Sequence, residues 1–238
     1  MAKASEIIPR AQTFSVALEI TGRASLIQNK FSQKAIEEML RKHMGLSVER
    51  EKKVPSECIT RATIVNEDGK VCIPPTAIKK AMLTASTAIK GLKKTQLRSQ
   101  LFVEGNSIPI TFSRMVPRMD MVRTSGMTHT PDVRFRPEFQ DWKARLVLQF
   151  SENMPVQSVV DLLNRAGSVG VGEWRPERDG SYGTFEVSRN IVDPKEMEEV
   201  RRECRSPIPS LTIPSWAMDA ELTPEILQKI GAGDTNEE

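Results

Sequence analysis

AGSVGVGEWRPERDGSYGTFEV, residues 166–187, carries five glycines and two arginines ahead of a strand-like ending. Glycine at this density exposes backbone N–H groups and lets another chain approach closely. Arg175 and Arg178 add positive charge that suits phosphates or carboxylates, so the stretch predicts a loop that binds a polyanion. Glycine-rich turns also occur where a hairpin needs positive φ or where a helix packs tightly on a strand, and both interpretations stay open from the loop alone.

Length and composition favour an intracellular globular protein, since 238 residues are enough for one large domain with appendages. No apolar run approaches the roughly 20 residues that span a bilayer, and the first residues, MAKASEIIPRAQTF, lack the features of a signal peptide. Cys58, Cys72 and Cys204 are widely spaced and have no histidine nearby, which argues against disulfides and structural zinc. We expect a cytoplasmic protein, in the host cytoplasm if it is viral, with no cofactor and no membrane partner.

The net charge of +3 is unevenly distributed. Residues 1–190 carry 29 basic and 20 acidic side chains, whereas residues 191–238 carry 5 and 11. A basic body with an acidic tail favours a nucleic-acid partner, although solubility alone also explains a surplus of this size.

Alternation and turn signals predict an α+β fold. Residues 13–20 and 142–150 alternate as strands, with Ala144, Leu146, Leu148 and Phe150 on one face of the second and Lys143 and Arg145 on the other. Apolar stripes predict helices over 32–44, 75–89 and 155–166, the first capped by Ser32 and packed in the core. Hairpins are expected around Glu67-Asp68-Gly69, from strands 58–65 and 70–73, and around Glu104-Gly105-Asn106, from strands 101–103 and 107–112.

Between the second hairpin and the next strand lies an arginine-rich insertion at about 113–137. Its arginines are Arg114, Arg118, Arg123, Arg134 and Arg136. We expect a long loop or a projecting β-ribbon, because long excursions from a compact domain are usually functional or disordered.

The helix that begins after Pro74-Pro75 presents Lys79 and Lys80 in its first turns. Backbone donors, the helix dipole and these lysines together suit a phosphate. An ordinary amphipathic helix with solvated lysines is the alternative.

The element order, the segment Ile73-Pro74-Pro75-Thr76-Ala77-Ile78-Lys79-Lys80-Ala81, and the glycine-rich loop with its following strand together resemble the RAMP superfamily. These are RRM-like, RNA-binding proteins that include the backbone and processing subunits of CRISPR effector complexes. The resemblance covers about residues 13–188. It implies a ferredoxin-like antiparallel sheet with helices on one face, and RNA or single-stranded DNA lying across the sheet.

The resemblance and the charge pattern together give one set of nucleic-acid-binding candidates. They are Lys79, Lys80, Arg114, Arg118, Arg123, Arg134, Arg136, Lys143, Arg145, Gly170, Gly172, Arg175 and Arg178. The insertion would be a thumb-like arm, and side-by-side assembly in the superfamily implies a homo-oligomer. Contacts of this kind give affinity that depends on salt and little on sequence.

Two departures favour binding over catalysis. Outward aromatic residues are missing from the predicted sheet face, so RRM-type base stacking is poorly supported. Some RAMP proteins cleave RNA with a histidine or an acidic residue, but here His43 and His129 share no partner pattern. We expect no catalytic residue.

Beyond residue 190 the chain changes character, which predicts a ferredoxin-like domain over 1–190 and an appendage over 191–238. The appendage contains a helix, a proline-rich arm and a disordered tail. Leu211, Ile213 and Trp216 of the arm are expected to dock along an edge, either of their own domain or of a neighbouring subunit in an oligomer.

Two further functions stay open. One is an oligomeric interaction or decoy protein of the phage anti-defence type, which binds a small nucleotide or a host protein. The other is a RAMP-like endoribonuclease. The first hypothesis remains a non-catalytic binding protein for RNA or single-stranded DNA, with a stand-alone phage or mobile-element origin.

Overall fold

A computed structural model describes residues 12–48, 52–89, 91–123 and 130–214. Its strands and helices, in chain order, are β1 (Thr13–Gly22), β2 (Leu26–Ile27), α1 (Gln33–His43), α2 (Pro55–Ala62), β3 (Cys72–Ile73), α3 (Pro75–Ala85), α4 (Lys94–Gln100), β4 (Leu101–Val103), β5 (Ile108–Thr111), β6 (Arg114–Arg123), β7 (Pro131–Gln140), β8 (Lys143–Ser151), α5 (Val156–Val169), β9 (Phe185–Ile191) and α6 (Pro194–Glu203). None of the helices in these ranges is long and apolar enough to cross a bilayer.

The described residues form two compact units. One contains residues 12–30, 53–89, 91–123 and 130–209, and the other contains residues 31–48, 52 and 210–214. Helix α6, which the sequence placed in the appendage, lies in the first unit.

The main sheet of the first unit has the order β3-β5-β8-β1-β9, and β4 also pairs with β8. Every pairing is antiparallel, with β1 between β8 and β9. The path β1-α3-β5-β8-α5-β9 is therefore the split β-α-β arrangement of the ferredoxin-like plan. The predicted α+β class is confirmed.

Helices α3 and α5 cover one face of this sheet. The core there contains Ile78 and Met82 of α3, Leu162 of α5 and the even-numbered side chains of β8 from Ala144 to Phe150. The predicted alternation of β8 is thus confirmed on its apolar side. Trp142, which precedes β8, is fully buried and donates its indole N–H to the Ala24 carbonyl oxygen at 2.9 Å.

Helix α6 covers the opposite face of the sheet. Val200 and Cys204 pack there against Ala17, Val147 and Ile191 in a second, smaller core cluster. Burial raises the pKa of the Cys204 thiol to about 12, as expected for a buried, inert cysteine. The sequence predicted an open basic face here, and that prediction is wrong because the chain after residue 190 folds back over it.

Both predicted hairpins are wrong in their pairing. Residues 55–62 form α2, which begins at Pro55 and carries an Arg61–Glu57 ion pair of 2.6 Å one turn apart. The predicted Asp-Gly turn is present, with Gly69 at φ +76°. The residues that flank it form an isolated β-bridge between Val65 and Val71.

The two strands of the second expected hairpin pair with the same neighbouring strand, each at a different position. β4 and β5 both pair with β8 and not with each other. The turn between them is held by the end of α6, because the Asn106 and Ser107 amides donate to the Cys204 carbonyl oxygen at 2.7 and 3.2 Å. A turn signal in the sequence predicts a turn, but it does not specify which strand pairs with the two strands that flank the turn.

In the second unit, Ser32 caps α1 as predicted, accepting the Ala35 N–H at 3.2 Å. No residue of α1 is buried, so its predicted core stripe is wrong. Gln33 exchanges two hydrogen bonds with the Thr212 backbone, at 2.7 and 3.0 Å. The start of the C-terminal arm is therefore held by its own chain.

Glu104 fastens α6 to the sheet and gives the fold an acid-sensitive contact. Arg201 donates to it at 2.8 Å and Ser15 at 2.7 Å. Burial favours the neutral acid, but the hydrogen bonds from Arg201 and Ser15 and the charge of Arg201 outweigh it and hold the pKa of Glu104 below its ordinary value. A lowered folded-state pKa stabilises the protein above the unfolded pKa, and this stability is lost as the pH falls through the folded-state value.

We expect Glu104→Gln to lower the free energy of unfolding by about 1–2 kcal/mol at neutral pH, because charge-assisted hydrogen bonds are lost. The difference from the unsubstituted protein should shrink below about pH 4. Urea unfolding followed by circular dichroism across pH measures both effects. Glu152→Gln, at an exposed position, is the control, and a difference that is independent of pH would contradict the assignment.

Candidate nucleic-acid interface

The glycine-rich loop packs against its own domain. A Cβ atom on Gly172 would lie 2.4 Å from the Ile27 carbonyl oxygen, and one on Gly183 would lie 1.8 Å from that of Val171. Gly170 and Gly172 both have φ +78°, a region that favours glycine. The amides of Val171 and Gly183 donate within the domain, at 3.0 and 2.8 Å. These glycines therefore fix the loop's shape, and side chains supply most of its surface chemistry.

The arginine-rich insertion is a β-ribbon. β6 and β7 pair in unbroken register from Arg114–Gln140 to Arg123–Pro131, and β2 joins the free edge of β7. One face of the ribbon turns toward the glycine-rich loop, where the Arg118 guanidinium donates to the Tyr182 hydroxyl at 2.8 Å. The two features that the sequence treats separately thus meet in space.

Arg118 joins the ribbon to the loop. It pairs with Asp120 at 2.6 Å and Glu138 at 3.0 Å, and it lies 4.7 Å from the Tyr182 ring centre. Burial disfavours the charge, but hydrogen bonds to Tyr182, Asp120 and Glu138 outweigh it and raise the pKa of Arg118. This predicted binding residue is engaged in holding the site together.

Arg136 lies directly opposite Arg118 on β7 and is only 6% exposed. Its ion pairs are long, 3.5 Å to Asp120 and 3.8 Å to Glu173. Its Nε is buried and has no hydrogen-bond partner among the described residues. Buried charge of this kind is costly unless it is well paired, so the charge of Arg136 is incompletely compensated by these neighbours.

A cleft of about 350 Å³ opens between the ribbon and the loop. Its lining is Val122, Arg136, Glu173, Trp174, Arg175 and Arg178. Arg175 is braced by the Gly172 carbonyl oxygen at 2.7 Å and by Glu177 at 2.7 Å, whereas Arg178 is exposed and has no ion pair in the described part of the chain. Three guanidinium groups around one carboxylate make this an anion-attracting cleft.

Trp174 is the residue of this cleft that the sequence did not single out. It adopts φ +52°, an uncommon conformation for a bulky residue, and its side chain stays 37% exposed. Its carbonyl oxygen accepts the Tyr182 amide at 2.9 Å, and only a glycine fits at position 180 beside it. A tryptophan directly before Arg175 in a glycine-rich loop was the available signal, because exposed aromatic rings beside cations suit base stacking.

The two lysines of α3 separate in the structure. Lys79 donates to the Arg98 carbonyl oxygen at 3.0 Å and lies over the Phe102 ring at 4.3 Å, away from the cleft residues. Lys80 is exposed and lines a second cleft together with Gly170 and Gly172. Of the pair, Lys80 joins the glycine-rich loop.

The β8 candidates lie apart from the arginine cleft. Arg145 pairs with Glu203 at 2.6 Å and with Glu196 and Glu199 at 3.5 Å, all on α6. Burial opposes its charge, but hydrogen bonding to Glu203 and the nearby carboxylates outweigh it and raise the pKa of Arg145. Lys143 is exposed at the edge of this acidic neighbourhood. Arg145 therefore attaches α6.

The remaining ribbon arginines are exposed. Arg134 pairs with Asp132 at 2.8 Å, while Arg114 and Arg123 have no ion pair within the residues described. Their role as nucleic-acid contacts stays a prediction.

The arm and the histidines are only partly described. Leu211 and Ile213 are exposed, and Trp216 lies outside the described residues, as does His129. His43 is exposed at the end of α1. Assembly through the arm stays a prediction.

The fold and the site together define an α+β, ferredoxin-like protein with an arginine-lined cleft beside a β-ribbon. No family model and no curated protein matches the chain. Among solved structures, it is similar to one described as "Cryo-EM structure of the Type III-B Cmr-beta bound to cognate target RNA", with 13% identity and a TM-score of 0.47, over 75% of this chain and 60% of that one. It is also similar to "Crystal structure of Cmr6 from Pyrococcus furiosus", with 9% identity and a TM-score of 0.40, over 75% of this chain and 100% of that one.

The chain thus spans 60% of the length of the first of these proteins. The fold class rests on the strand order and helix placement given above.

Proposed function

We propose that the protein is a non-catalytic binding protein for RNA or single-stranded DNA, which grips phosphates in the arginine cleft. The observation that supports this most directly is the convergence of Arg136, Arg175 and Arg178 around a cleft whose deepest guanidinium lacks full pairing. A phosphate supplies the acceptors that Arg136 lacks.

Trp174 makes a nucleic-acid strand a better ligand than an isolated phosphate. Its exposed indole lies on the same cleft as the three arginines, so a base can stack on it while the adjoining phosphate is bound. Stacking of this kind accepts any base and requires an unpaired strand. The combination therefore favours single strands over duplexes.

The cleft is equipped for binding and not for acid–base chemistry. Among the described residues that line it, the one carboxylate, Glu173, already faces Arg136, and there is no histidine. A general base needs a free, suitably placed acceptor within hydrogen-bond reach of its substrate. This supports the non-catalytic part of the proposal.

Arg178→Ala is the mildest test, because this side chain has no ion pair or hydrogen bond to lose in the part of the chain that the structure describes. We expect affinity for a labelled single strand to fall about threefold at low salt, and the slope of log K against log salt to decrease by about one. Fluorescence anisotropy on nuclease-treated protein, with RNA and DNA strands of several lengths, measures both.

Arg98→Ala is the matched control, since Arg98 is equally exposed but lies on α4. Equal losses in the two variants would place the binding elsewhere. Tight binding of a short nucleotide or a protein, without dependence on strand length, would instead support the decoy hypothesis.

A further inference from the structure

A second cleft adjoins the arginine cleft and differs from it in character. It has a volume of about 250 Å³ and lies between β2, the exposed side of α3 and the glycine-rich loop. Its walls are mainly apolar, with Leu26, Ile73, Ala77 and Val171 among them. None of the described residues that line it is aromatic.

The two clefts are adjacent. Glu173 and Arg175 line both of them. A ligand that extends past Arg175 therefore passes from a charged compartment into an apolar one. A nucleotide has this division, with a charged phosphate at one end and a flat, largely apolar base at the other.

Size and polarity also suit a single base. The volume lies just below the roughly 300–1,000 Å³ of pockets for drug-sized ligands, which fits one ring system better than a longer ligand. Gln28 is fully engaged, donating to the Cys72 carbonyl oxygen at 3.0 Å and accepting the Ile64 amide at 2.8 Å. Asn29 and Lys80 are exposed at the rim and have no such partner in the described residues, so they can reach the edge of a base.

We propose that the apolar cleft takes one unstacked nucleobase of the bound strand, while the phosphate of the same nucleotide lies in the arginine cleft. This rests on the proposed function. Asn29 presents an amide donor and acceptor together, the pairing by which proteins distinguish base edges. The site thereby adds base preference to binding that is otherwise independent of sequence.

The experiment uses the full chain and a short single strand that contains one 2-aminopurine. Unstacking this base into a cleft without aromatic walls should increase its fluorescence on binding. Ala77→Phe fills the cleft, so it should abolish the increase and weaken the strand about fivefold. Thr76→Phe, one residue earlier on α3 and exposed, is the matched control and should leave both signals unchanged.

Asn29→Ala is a second test that stays valid if Ala77→Phe folds poorly, because Asn29 is exposed. It should flatten the affinity differences among homopolymer strands and leave the salt dependence intact. Competition with nucleoside monophosphates separates a free nucleotide from a base within a strand, and displacement at equal concentration would mean that the free nucleotide is the ligand.

The failures of the two proposals are distinguishable. Absence of strand binding by the unsubstituted protein would overturn the proposed function. Normal strand binding with quenched or unchanged 2-aminopurine, and no effect of Ala77→Phe, would overturn the base pocket alone.

Discussion

Gly167→Ala is expected to destabilise the protein by about 3 kcal/mol, because the substitution would overfill a close backbone contact between a helix and the sheet. Gly167 lies on the buried face of α5, where an added Cβ atom would be 1.9 Å from the Phe185 carbonyl oxygen and 3.2 Å from its ring. Alanine is the better helix former by about 1 kcal/mol, so helix propensity alone predicts the opposite sign. Packing dominates here because the obstructing atom belongs to the backbone of β9 and not to a flexible side chain.

Urea unfolding followed by circular dichroism measures this effect. Ser168→Ala is the matched control, because Ser168 is the next residue of α5 and is exposed. The control should be neutral or slightly stabilising. Equal stability of Gly167→Ala and Ser168→Ala would mean that α5 can move away from β9 without cost, and that the glycine-rich loop is not fixed by this contact.

Much of the fold was predictable because β1, α3, β8 and α5 each carry a strong local pattern. The predictions that were wrong concern segments whose structure depends on contacts with residues that are distant in the sequence. Residues 58–65 contain β-branched side chains, yet they form α2 and the turn after it, since α2 packs on β7 of the ribbon. β4 and β5 flank a good turn signal, but the free edge of β8 and the end of α6 compete for them.

The ribbon shows a different limit. Its sequence does alternate, with Met115, Met119 and Met121 on one face and Arg118 and Asp120 on the other. The methionines are the exposed set and the charged residues are the covered set, the reverse of the usual pattern. A prediction that buries the apolar face of the ribbon would therefore assign the wrong face to the protein interior.

This reversed arrangement, with the methionines exposed and the charged residues covered, also explains why the sequence predicted some residues of the candidate site and not others. Charge and glycine density predicted a site at the loop and the ribbon, but neither reports the strand register. Only the structure shows that Arg118 braces the site, whereas Arg136 across the ribbon has long ion pairs and an Nε without a partner among the described residues. Trp174 was missed because its importance comes from its exposure beside that pair.

Arg136→Met should leave stability nearly unchanged while weakening single-strand binding by roughly 10–100-fold, the loss expected for charge-assisted hydrogen bonds to phosphate. Replacing a buried ion by an apolar side chain of similar size is often neutral or stabilising, provided that no charge is left unpaired. That condition holds, since Asp120 keeps Arg118 at 2.6 Å and Glu173 is 41% exposed.

Arg118→Met is the matched control for this prediction, because it makes the same substitution at the directly opposite position of the ribbon. It should lower stability by about 2 kcal/mol or more, since Asp120 would keep only the long contact to Arg136 and Glu138 would lose its ion pair. Thermal unfolding and anisotropy on the same preparations separate the two outcomes. If Arg136→Met were as destabilising as Arg118→Met and bound strands normally, the role of Arg136 would be structural. The proposed contact between Arg136 and a phosphate in the cleft would then be wrong. If stability and affinity separate as expected, the incompletely paired Arg136 guanidinium is maintained in the fold for an anion that the protein binds.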